Sequence, residues 1–276
     1  MSFWDHLEEL RWTLFRAIIA LTVFTIAGVV LMPYIFDTVV MAPCTSDFIF
    51  YRGLEWLSTV VPYMPDFVEA DFHVKIINIK LASQFFTYMS SSFWFAFMIT
   101  VPYLIFEVWR FIAPALYENE KKNVRWVLLF GTVMFFVGAC VGYFLVFPLT
   151  LRFLVNFQLS EMITNEISLD SYMSNFTTLI LMLGVVFEMP LMAWLLSQLG
   201  LITKAFFRTY RRYAIVVLLA VAALITPTGD PFTLSVVFFP LYMLYEISAY
   251  FVKEKAPDED DDEEYHQSEG IAAARD

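Results

Sequence analysis

The stretch WVLLFGTVMFFVGACVGYFLVFPLTL, residues Trp126–Leu151, runs for 26 residues without a charged side chain. A helix needs about 20 apolar residues to cross the hydrocarbon core of a bilayer, so this stretch predicts a membrane span. Three further stretches have the same character: Ala17–Phe36, Phe85–Phe106 and Ser171–Leu201. The composition agrees, because 59% of the residues are hydrophobic and only 16% are charged. The sequence therefore predicts an all-α, polytopic membrane protein.

The end of the apolar region adds two shorter stretches, Tyr213–Pro227 and Pro231–Tyr245, each of 15 residues. At 1.5 Å per residue, each would cover roughly 22 Å as a helix, against a hydrocarbon core of about 30 Å. Only Thr228–Asp230 separates them. We therefore expect a closing helical hairpin, and six transmembrane helices in total, of which the last two are short.

The placement of the basic residues predicts the orientation, because cytoplasmic segments of membrane proteins carry an excess of Lys and Arg. With the N-terminus inside, thirteen of the 17 Lys and Arg residues fall in inner segments and four in outer segments. Both termini are therefore expected in the cytoplasm. The large loop 37–81 is then external, within a six-span domain of residues 1–252.

Most of the net charge of −11 belongs to the end of the chain. Residues 253–276 hold ten acids and three bases, which leaves −7, and the body holds eighteen acids and fourteen bases, which leaves −4. Runs of like charge are usually disordered and solvated, so 253–276 is predicted to be an acidic disordered cytoplasmic tail. A specific partner site is the alternative. Because the N-terminus is acidic, we expect no cleavable signal peptide.

The sequence shows no pattern of residues typical of a metal site, a disulfide framework or covalent catalysis. Its two cysteines, Cys44 and Cys140, exclude a disulfide framework, and its three histidines are scattered without the spacing of metal ligands. We expect no cofactor and no metal. An intramembrane enzyme needs a nucleophile and base, or metal ligands, at membrane depth, and the histidines lie outside the predicted spans. The chain is not expected to be an enzyme.

Carboxylates at the inner membrane edge are the unusual feature. The N-terminal segment Phe3–Arg11 is acidic, and helical spacing directs its leucines to lipid and Glu9 to the cytoplasm. Local pairing of Glu9 with Arg11 is the simpler interpretation. The second inner loop, 106–122, is aromatic and contains Glu107, Glu118 and Glu120, which an ordinary positive-inside loop leaves unexplained.

Glu188 is the charged residue inside the span Ser171–Leu201, with Pro190 two residues on. An ionised side chain at membrane depth costs at least about 2.5–3.5 kcal/mol, so such a group is protonated, paired or exposed to a wet cavity. Intramembrane acids are functional by default, with structural hydrogen bonding as the alternative.

Four ordered motifs resemble those of the TatC family, the core receptor of the twin-arginine protein translocase. His6–Arg11 is similar to the family hallmark H-L-x-E-L-R, and Val108–Glu120 to V-W-x-F-x-x-P-x-L-Y-x-x-E. Phe187–Pro190 is similar to F-E-x-P of the fourth span, and the stretch from Thr226 to Ile247, with Asp230 and Pro240, resembles the closing hairpin. The resemblance extends over residues 2–252.

The resemblance implies a receptor in the bacterial cytoplasmic (inner) membrane that binds twin-arginine signal peptides of folded proteins. It also implies single-span TatA-like and TatB-like partner subunits and self-association in a receptor complex, and it implies no nucleic acid. By matching position, Glu9 and Glu120 meet the paired arginines, and Phe111 belongs to the same signal-peptide binding site. Glu188 engages the transmembrane helices of the partners. Other functional candidates are Pro43, Arg11 and Asp230.

The chain departs from the family pattern in two places. Thr13 stands where the family commonly has a basic residue, and the loop 37–81 is longer than usual. A proton-coupled secondary transporter is the alternative function, since midplane acids and broken helices are common in such proteins. Transporters usually show internal repeats, and none is evident in this sequence.

Overall fold

The computed structural model describes residues 3–60, 74–112, 124–160, 165–198 and 200–252. Glu120 and the predicted tail 253–276 lie outside these ranges. The described residues form nine α-helices, which we number α1 (Phe3–Ile35), α2 (Ile49–Val60), α3 (Ser83–Ile112), α4 (Val124–Val141), α5 (Phe147–Asn156), α6 (Leu169–Val186), α7 (Met189–Gln198), α8 (Lys204–Ile225) and α9 (Pro231–Phe251). The mostly helical fold agrees with the prediction.

Three short helical turns and two short strands complete the described elements. A π-helical turn, Phe36–Val40, continues α1 and leads into a 3-10 turn, Ala42–Cys44. A second π-helical turn, Gly142–Val146, joins α4 to α5 without a loop. Two strands of two residues each, β1 (Ile76–Ile77) and β2 (Ile167–Ser168), pair in parallel.

Five described segments are long and apolar enough to cross a membrane: Leu7–Cys44, Ser83–Phe111, Val127–Asn156, Leu169–Gln198 and Pro231–Phe251. They contain the four long predicted spans and the last short one. The remaining predicted span lies in α8, whose first half is polar. The count of six spans and the orientation therefore stay predictions.

The lengths of the last two helices differ from the prediction. α8 has 22 residues and α9 has 21, so at 1.5 Å per residue each is about 32 Å long rather than roughly 22 Å. Backbone hydrogen bonding continues through polar residues, and the helix bounds therefore do not follow the bounds of the apolar stretch. What is short is the apolar part of α8, since its first half carries Lys204, Arg208, Arg211 and Arg212.

The centre of the bundle is the contact of α4 with α6. Gly138 of α4 and Gly142, the first residue of the π-helical turn that continues α4, lie four residues apart, in the G-x-x-x-G spacing that allows close helix approach in membranes. A Cβ atom at Gly138 would lie 2.6 Å from the carbonyl oxygen of Leu183, and one at Gly142 would lie 2.9 Å from the Cα atom of Ile180. Gly184 of α6 receives the ring of Phe135 in return. The absence of side chains at these glycines sets the helix spacing.

Helix α1 packs mainly against α3. A Cβ atom at Gly28 would lie 2.9 Å from the carbonyl oxygen of Ser92, and the hydroxyl of Tyr88 donates a hydrogen bond to the carbonyl of Val29. Away from α3 the helix is exposed and apolar, with Val30 75% exposed. One face of α1 thus contacts the bundle, and the rest of its surface is apolar and exposed. This arrangement is expected for a helix at the lipid-facing edge of a bundle.

The segment after α1 is held by buried tyrosines. Tyr51 of α2 donates a hydrogen bond to the carbonyl of Pro43 at 3.1 Å, and Tyr172 of α6 donates one to the carbonyl of Val40 at 2.5 Å. Both rings are 1% exposed. Part of the predicted loop 37–81 is therefore packed on the bundle, because its backbone carbonyls accept hydrogen bonds from core side chains.

Replacing Gly138 with alanine tests the α4–α6 contact. The added methyl meets backbone atoms, which give way less easily than side chains, so the variant is expected to lose about 1–3 kcal/mol of stability. Thermal unfolding of the protein in detergent measures the loss. Gly53→Ala is the matched control, because a Cβ atom at Gly53 meets nothing within 4 Å. Equal unfolding midpoints for the two variants would contradict the proposed packing.

Candidate functional site

The acidic start of α1 presents carboxylates that form no salt bridge among the described residues. Glu8 is exposed and Glu9 is half-buried, and Glu9 interacts with Arg16 only as a more distant charge. The guanidinium of Arg11 lies 5.6 Å from the ring centroid of Phe15, which makes a cation–π contact. Local pairing of Glu9 with Arg11 is therefore not what the structure shows. The neighbouring leucines Leu7 and Leu10 are exposed, as expected for a lipid-facing surface.

A second carboxylate near this helix start is fully neutralised. Glu107 of α3 is 2% exposed and forms a bidentate ion pair with Arg16 of α1, with Nε–Oε1 and Nη2–Oε2 distances of 2.9 Å. The hydroxyl of Tyr103 donates to Glu107 at 2.8 Å. Arg16 also donates to the hydroxyl of Thr13 at 3.2 Å. We call these four residues, Thr13, Arg16, Tyr103 and Glu107, the α1–α3 clasp.

Sequence reasoning did not find the clasp. It noted Glu107 among the acids of the second inner loop and Arg16 among the inner bases, but gave neither a partner. The pair is 91 residues apart in sequence, and only the antiparallel packing of α1 on α3 brings it together. One feature of the sequence did point to this place: Thr13 stands where the family commonly has a basic residue. In the structure its hydroxyl accepts a hydrogen bond from Arg16, one helical turn later.

The second predicted acid cannot be placed beside the first. Glu120 lies outside the described residues, so its distance from Glu9 is not defined. Phe111 is half-buried at the end of α3, and Trp109 is buried against Val127 of α4 and Leu195 of α7. The motif Val108–Glu120 thus begins at the end of α3, which contacts α4 and α7 through Trp109.

Glu188 lies where the fourth span is broken, in the turn between α6 and α7. Its Oε1 atom is buried and has no hydrogen-bond partner among the described residues, and the same holds for the indole nitrogen of Trp109. Both side chains line an apolar cavity of about 410 Å³ whose walls include Val101, Ile105, Phe135, Leu191 and Leu195. A Cβ atom at Gly131 would lie 3.3 Å from Oε2 of Glu188. An unsatisfied polar pair in an apolar groove is costly unless a partner supplies hydrogen bonds.

Two other predicted functional residues have structural contacts. Asp230 is the N-cap of α9 and accepts hydrogen bonds from the backbone of Thr233 at 2.7 Å and from the hydroxyl of Thr228 at 2.6 Å. Burial alone would raise the pKa of Asp230, but these hydrogen bonds outweigh it and hold that pKa below its ordinary value. Pro43 is buried, and its carbonyl accepts from Tyr51. Both residues therefore have structural roles, Pro43 after the end of α1 and Asp230 at the start of α9.

The described structure defines a class of protein: a polytopic α-helical membrane protein with acids that form no salt bridge at a helix start and an acid, Glu188, inside the bundle. Among the described residues, no group of three or more His, Cys, Asp or Glu could hold a metal ion. The family profile described as Sec-independent protein translocase protein (TatC) matches residues 5–240. The chain therefore belongs to the TatC family, as the motifs indicated.

Relatives and solved structures agree with this assignment. The chain is 34% identical to the TatC protein of Blattabacterium over 251 residues, which is 91% of this chain and 94% of the relative. It is 34% identical to the TatC protein of Campylobacter jejuni over 252 residues, with the same coverage of both. A crystal structure of the twin arginine translocase receptor TatC matches with a TM-score of 0.70 and 30% identity, covering 89% of this chain and 97% of that one. A second, in DDM, matches with a TM-score of 0.72.

The family is a membrane subunit of a protein translocase and not an enzyme. The expectation that the chain is not an enzyme is confirmed on this ground, and the solute transporter is set aside. The chain is a multi-pass membrane protein of the twin-arginine translocation system.

Replacing Arg16 with leucine tests the clasp. The change leaves the buried Glu107 carboxylate without its counter-charge, which is expected to cost about 3–5 kcal/mol. Replacing both residues, as Arg16→Leu with Glu107→Leu, is expected to recover most of the loss. Unfolding in detergent measures both effects. The exposed pair Arg52–Asp47 is the control, since Arg52→Leu is expected to cost only about 0–1 kcal/mol. A double variant no more stable than Arg16→Leu would contradict the interpretation.

Replacing Asp230 with alanine removes the N-cap of α9 and is expected to cost about 0.5–2 kcal/mol at pH 7. Because the folded-state pKa is lowered, the ionised cap stabilises the protein above the ordinary carboxyl pKa, and this is lost as pH falls through the folded value. The difference in unfolding midpoint between wild type and variant should therefore shrink below about pH 3.8. A difference in unfolding midpoint that is the same at pH 7 and at pH 3 would contradict the role of the ionised cap.

Proposed function

We propose that this chain binds twin-arginine signal peptides of folded proteins and recruits small single-span subunits for their export. The observation that carries the proposal is the contrast between two carboxylates near the start of α1. Glu107 is neutralised by Arg16, whereas Glu9 forms no salt bridge within the described structure and interacts with Arg16 only as a more distant charge. A carboxylate held beside the membrane without a salt bridge of its own is suited to a ligand that brings a cation.

The chemistry of the two side chains explains why the ligand carries arginines. A guanidinium presents a planar fork that fits a carboxylate with two hydrogen bonds, whereas the lysine ammonium is a compact point charge. Glu9 supplies one such carboxylate, and we assign the other to Glu120. Two carboxylates on separate segments select for two neighbouring arginines and disfavour lysines.

The surroundings of Glu9 increase the strength of such a contact. A charge-assisted hydrogen bond contributes about 1.5–3 kcal/mol when partly shielded, against about 0–1 kcal/mol for an exposed ion pair. Glu9 is half-buried, and Arg11 is directed to Phe15 rather than to it. Phe111 contributes an apolar surface at the end of α3 for the segment next to the arginines.

The groove beside Glu188 is assigned to the transmembrane helices of TatA-like and TatB-like subunits. Its lining is apolar and suits a helix side chain, and Glu188 offers an oxygen without a hydrogen-bond partner in the described structure. Hydrogen bonds between membrane helices contribute modestly, about 0.6 kcal/mol on average, but they select the depth and orientation of the partner. Glu188 therefore specifies the position of a helix that the apolar groove binds.

The remaining proposals follow from family membership and the sequence. We place the six-span domain, residues 1–252, in the bacterial inner membrane with both termini in the cytoplasm, followed by the tail 253–276. The chain self-associates in a receptor complex. Asp230 and Pro43 act through the fold contacts described above, at the external ends of α9 and α1, and Arg11 anchors the helix start through Phe15.

Photocrosslinking of a twin-arginine peptide in membranes tests the assignment of the acids. Glu9→Gln and Glu120→Gln are each expected to reduce the crosslink about tenfold or more, since each removes a charge-assisted contact. Asp37→Asn is the control for loss of one acid elsewhere. A twin-lysine peptide should crosslink weakly to the wild type and be unaffected by the variants. Undiminished crosslinking of the twin-arginine peptide in both glutamine variants would contradict the proposal.

A separate experiment tests the division of roles. Glu188→Leu should reduce crosslinks to the single-span subunits and leave peptide binding intact, because the groove and the helix start are different sites. Met192→Leu, which changes the same cavity without removing an oxygen, is the matched control. Loss of peptide binding with unchanged subunit crosslinks would reverse the assignment.

A further inference from the structure

The first half of α8 carries a basic stripe that the proposed function does not use. Lys204, Arg208 and Arg211 are spaced i, i+4 and i+7, so they fall on one face of the helix, and Arg212 follows directly. All four side chains belong to exposed residues. Such a concentration of positive charge in two turns of one helix indicates an anionic ligand.

The stripe borders a cavity of about 590 Å³ between α8 and α9. The floor is closed by Phe207 and Tyr245, because the hydroxyl of Tyr245 donates to the carbonyl of Phe207 at 2.7 Å. On one wall, Glu246 of α9 pairs with Arg211, with an Nη2–Oε1 distance of 2.6 Å, and fixes that guanidinium. Three bases (Lys204, Arg208 and Arg211) and one acid (Glu246) line the cavity, so the formal net charge of its lining is +2. We call it the α8–α9 cleft.

Exposed aromatic residues indicate where the cleft lies relative to the bilayer. Tyr213 is 68% exposed and Tyr250 is 82% exposed, one on each helix of the cleft. Tyrosines are enriched at the level of the lipid headgroups. The apolar part of α8 begins at the same point, and its side chains Val216 and Val217 are exposed, as lipid-facing residues are. This pattern fits a helix that enters the headgroup layer near Tyr213, with its bases close to the lipid phosphates.

We propose that the α8–α9 cleft binds the phosphate headgroup of an anionic phospholipid such as phosphatidylglycerol. Lys204 and Arg208 contact the phosphate, while Arg211, held by Glu246, forms the wall. The acyl chains lie along the exposed apolar surface of α8. The short apolar part of that helix places the bases within reach of the headgroup.

Native mass spectrometry of the full chain, released from nanodiscs of mixed phosphatidylglycerol and phosphatidylcholine, tests the proposal. Phosphatidylglycerol should be retained in preference to phosphatidylcholine. The variant Lys204→Gln with Arg208→Gln should lose about tenfold or more of the retained phosphatidylglycerol, since each base near an anionic headgroup contributes to binding. The matched control is Arg52→Gln with Lys75→Gln, which removes two exposed bases elsewhere and should retain the lipid. Circular dichroism of each variant checks that the helices are intact.

Four outcomes would overturn the proposal. Equal retention of the two lipids excludes recognition of the anionic headgroup, and unchanged retention in the Lys204 and Arg208 variant places the lipid elsewhere. Displacement of the lipid by inorganic phosphate alone assigns the cleft to a free anion. The fourth concerns the acids of the tail. If phosphatidylglycerol is retained only after Asp258–Glu264 are replaced by their amides, the occupant of the cleft is the chain's own end.

Discussion

The close approach of α4 to α6 determines the position of the groove around Glu188. Where Gly138 lacks a side chain, the ring of Phe187 fits against the backbone of α4. The next residue along the chain is Glu188, at the break between α6 and α7, and Gly131 leaves space for its carboxylate. In the absence of water, helix association in membranes depends on such packing of small residues. The groove is thus a consequence of where the glycines allow backbones to meet.

A second feature that organises the structure is the difference between two acids near the start of α1. Glu107 forms a salt bridge with Arg16, and Glu9 forms none within the described structure. The α1–α3 clasp combines a carboxylate, a guanidinium and two hydroxyls, so its internal hydrogen bonding is largely satisfied. It adds a polar link between α1 and α3, two helices that also pack against each other at Gly28 and Val29. Glu9 is two turns before Arg16 on the same helix and is not included. The start of α1 is therefore held through one acid, Glu107, and Glu9 is the acid to which we assign a role in binding.

The sequence was a good guide to the elements and a poor guide to their contacts. The long apolar stretches predicted four spans and α9, because the length of an apolar run is a local property. The ends of α8 and α9 were missed, since a helix continues through Arg208 or Glu246 without regard to hydropathy. The Arg16–Glu107 pair was missed because it depends on two helices that are far apart in sequence. The spacing of Gly138 and Gly142 was readable in advance, but the partner helix was not. The acids of the proposed site came from motif resemblance, and no local pattern distinguishes Glu9 from Glu8.

The π-helical turn Gly142–Val146 has a further consequence for the third span. A π turn accommodates about one residue more than an α turn, so side chains beyond it point about 100° away from where an unbroken helix would direct them. The buried side chains of α5, among them Phe147 and Leu151, face α6 and α9 only because of this offset. Deleting one residue of the turn would lengthen the α-helix and at the same time rotate the whole of α5. Deletion of one residue within Gly142–Val146 is therefore expected to disrupt this fold more than deletion of several residues from a loop.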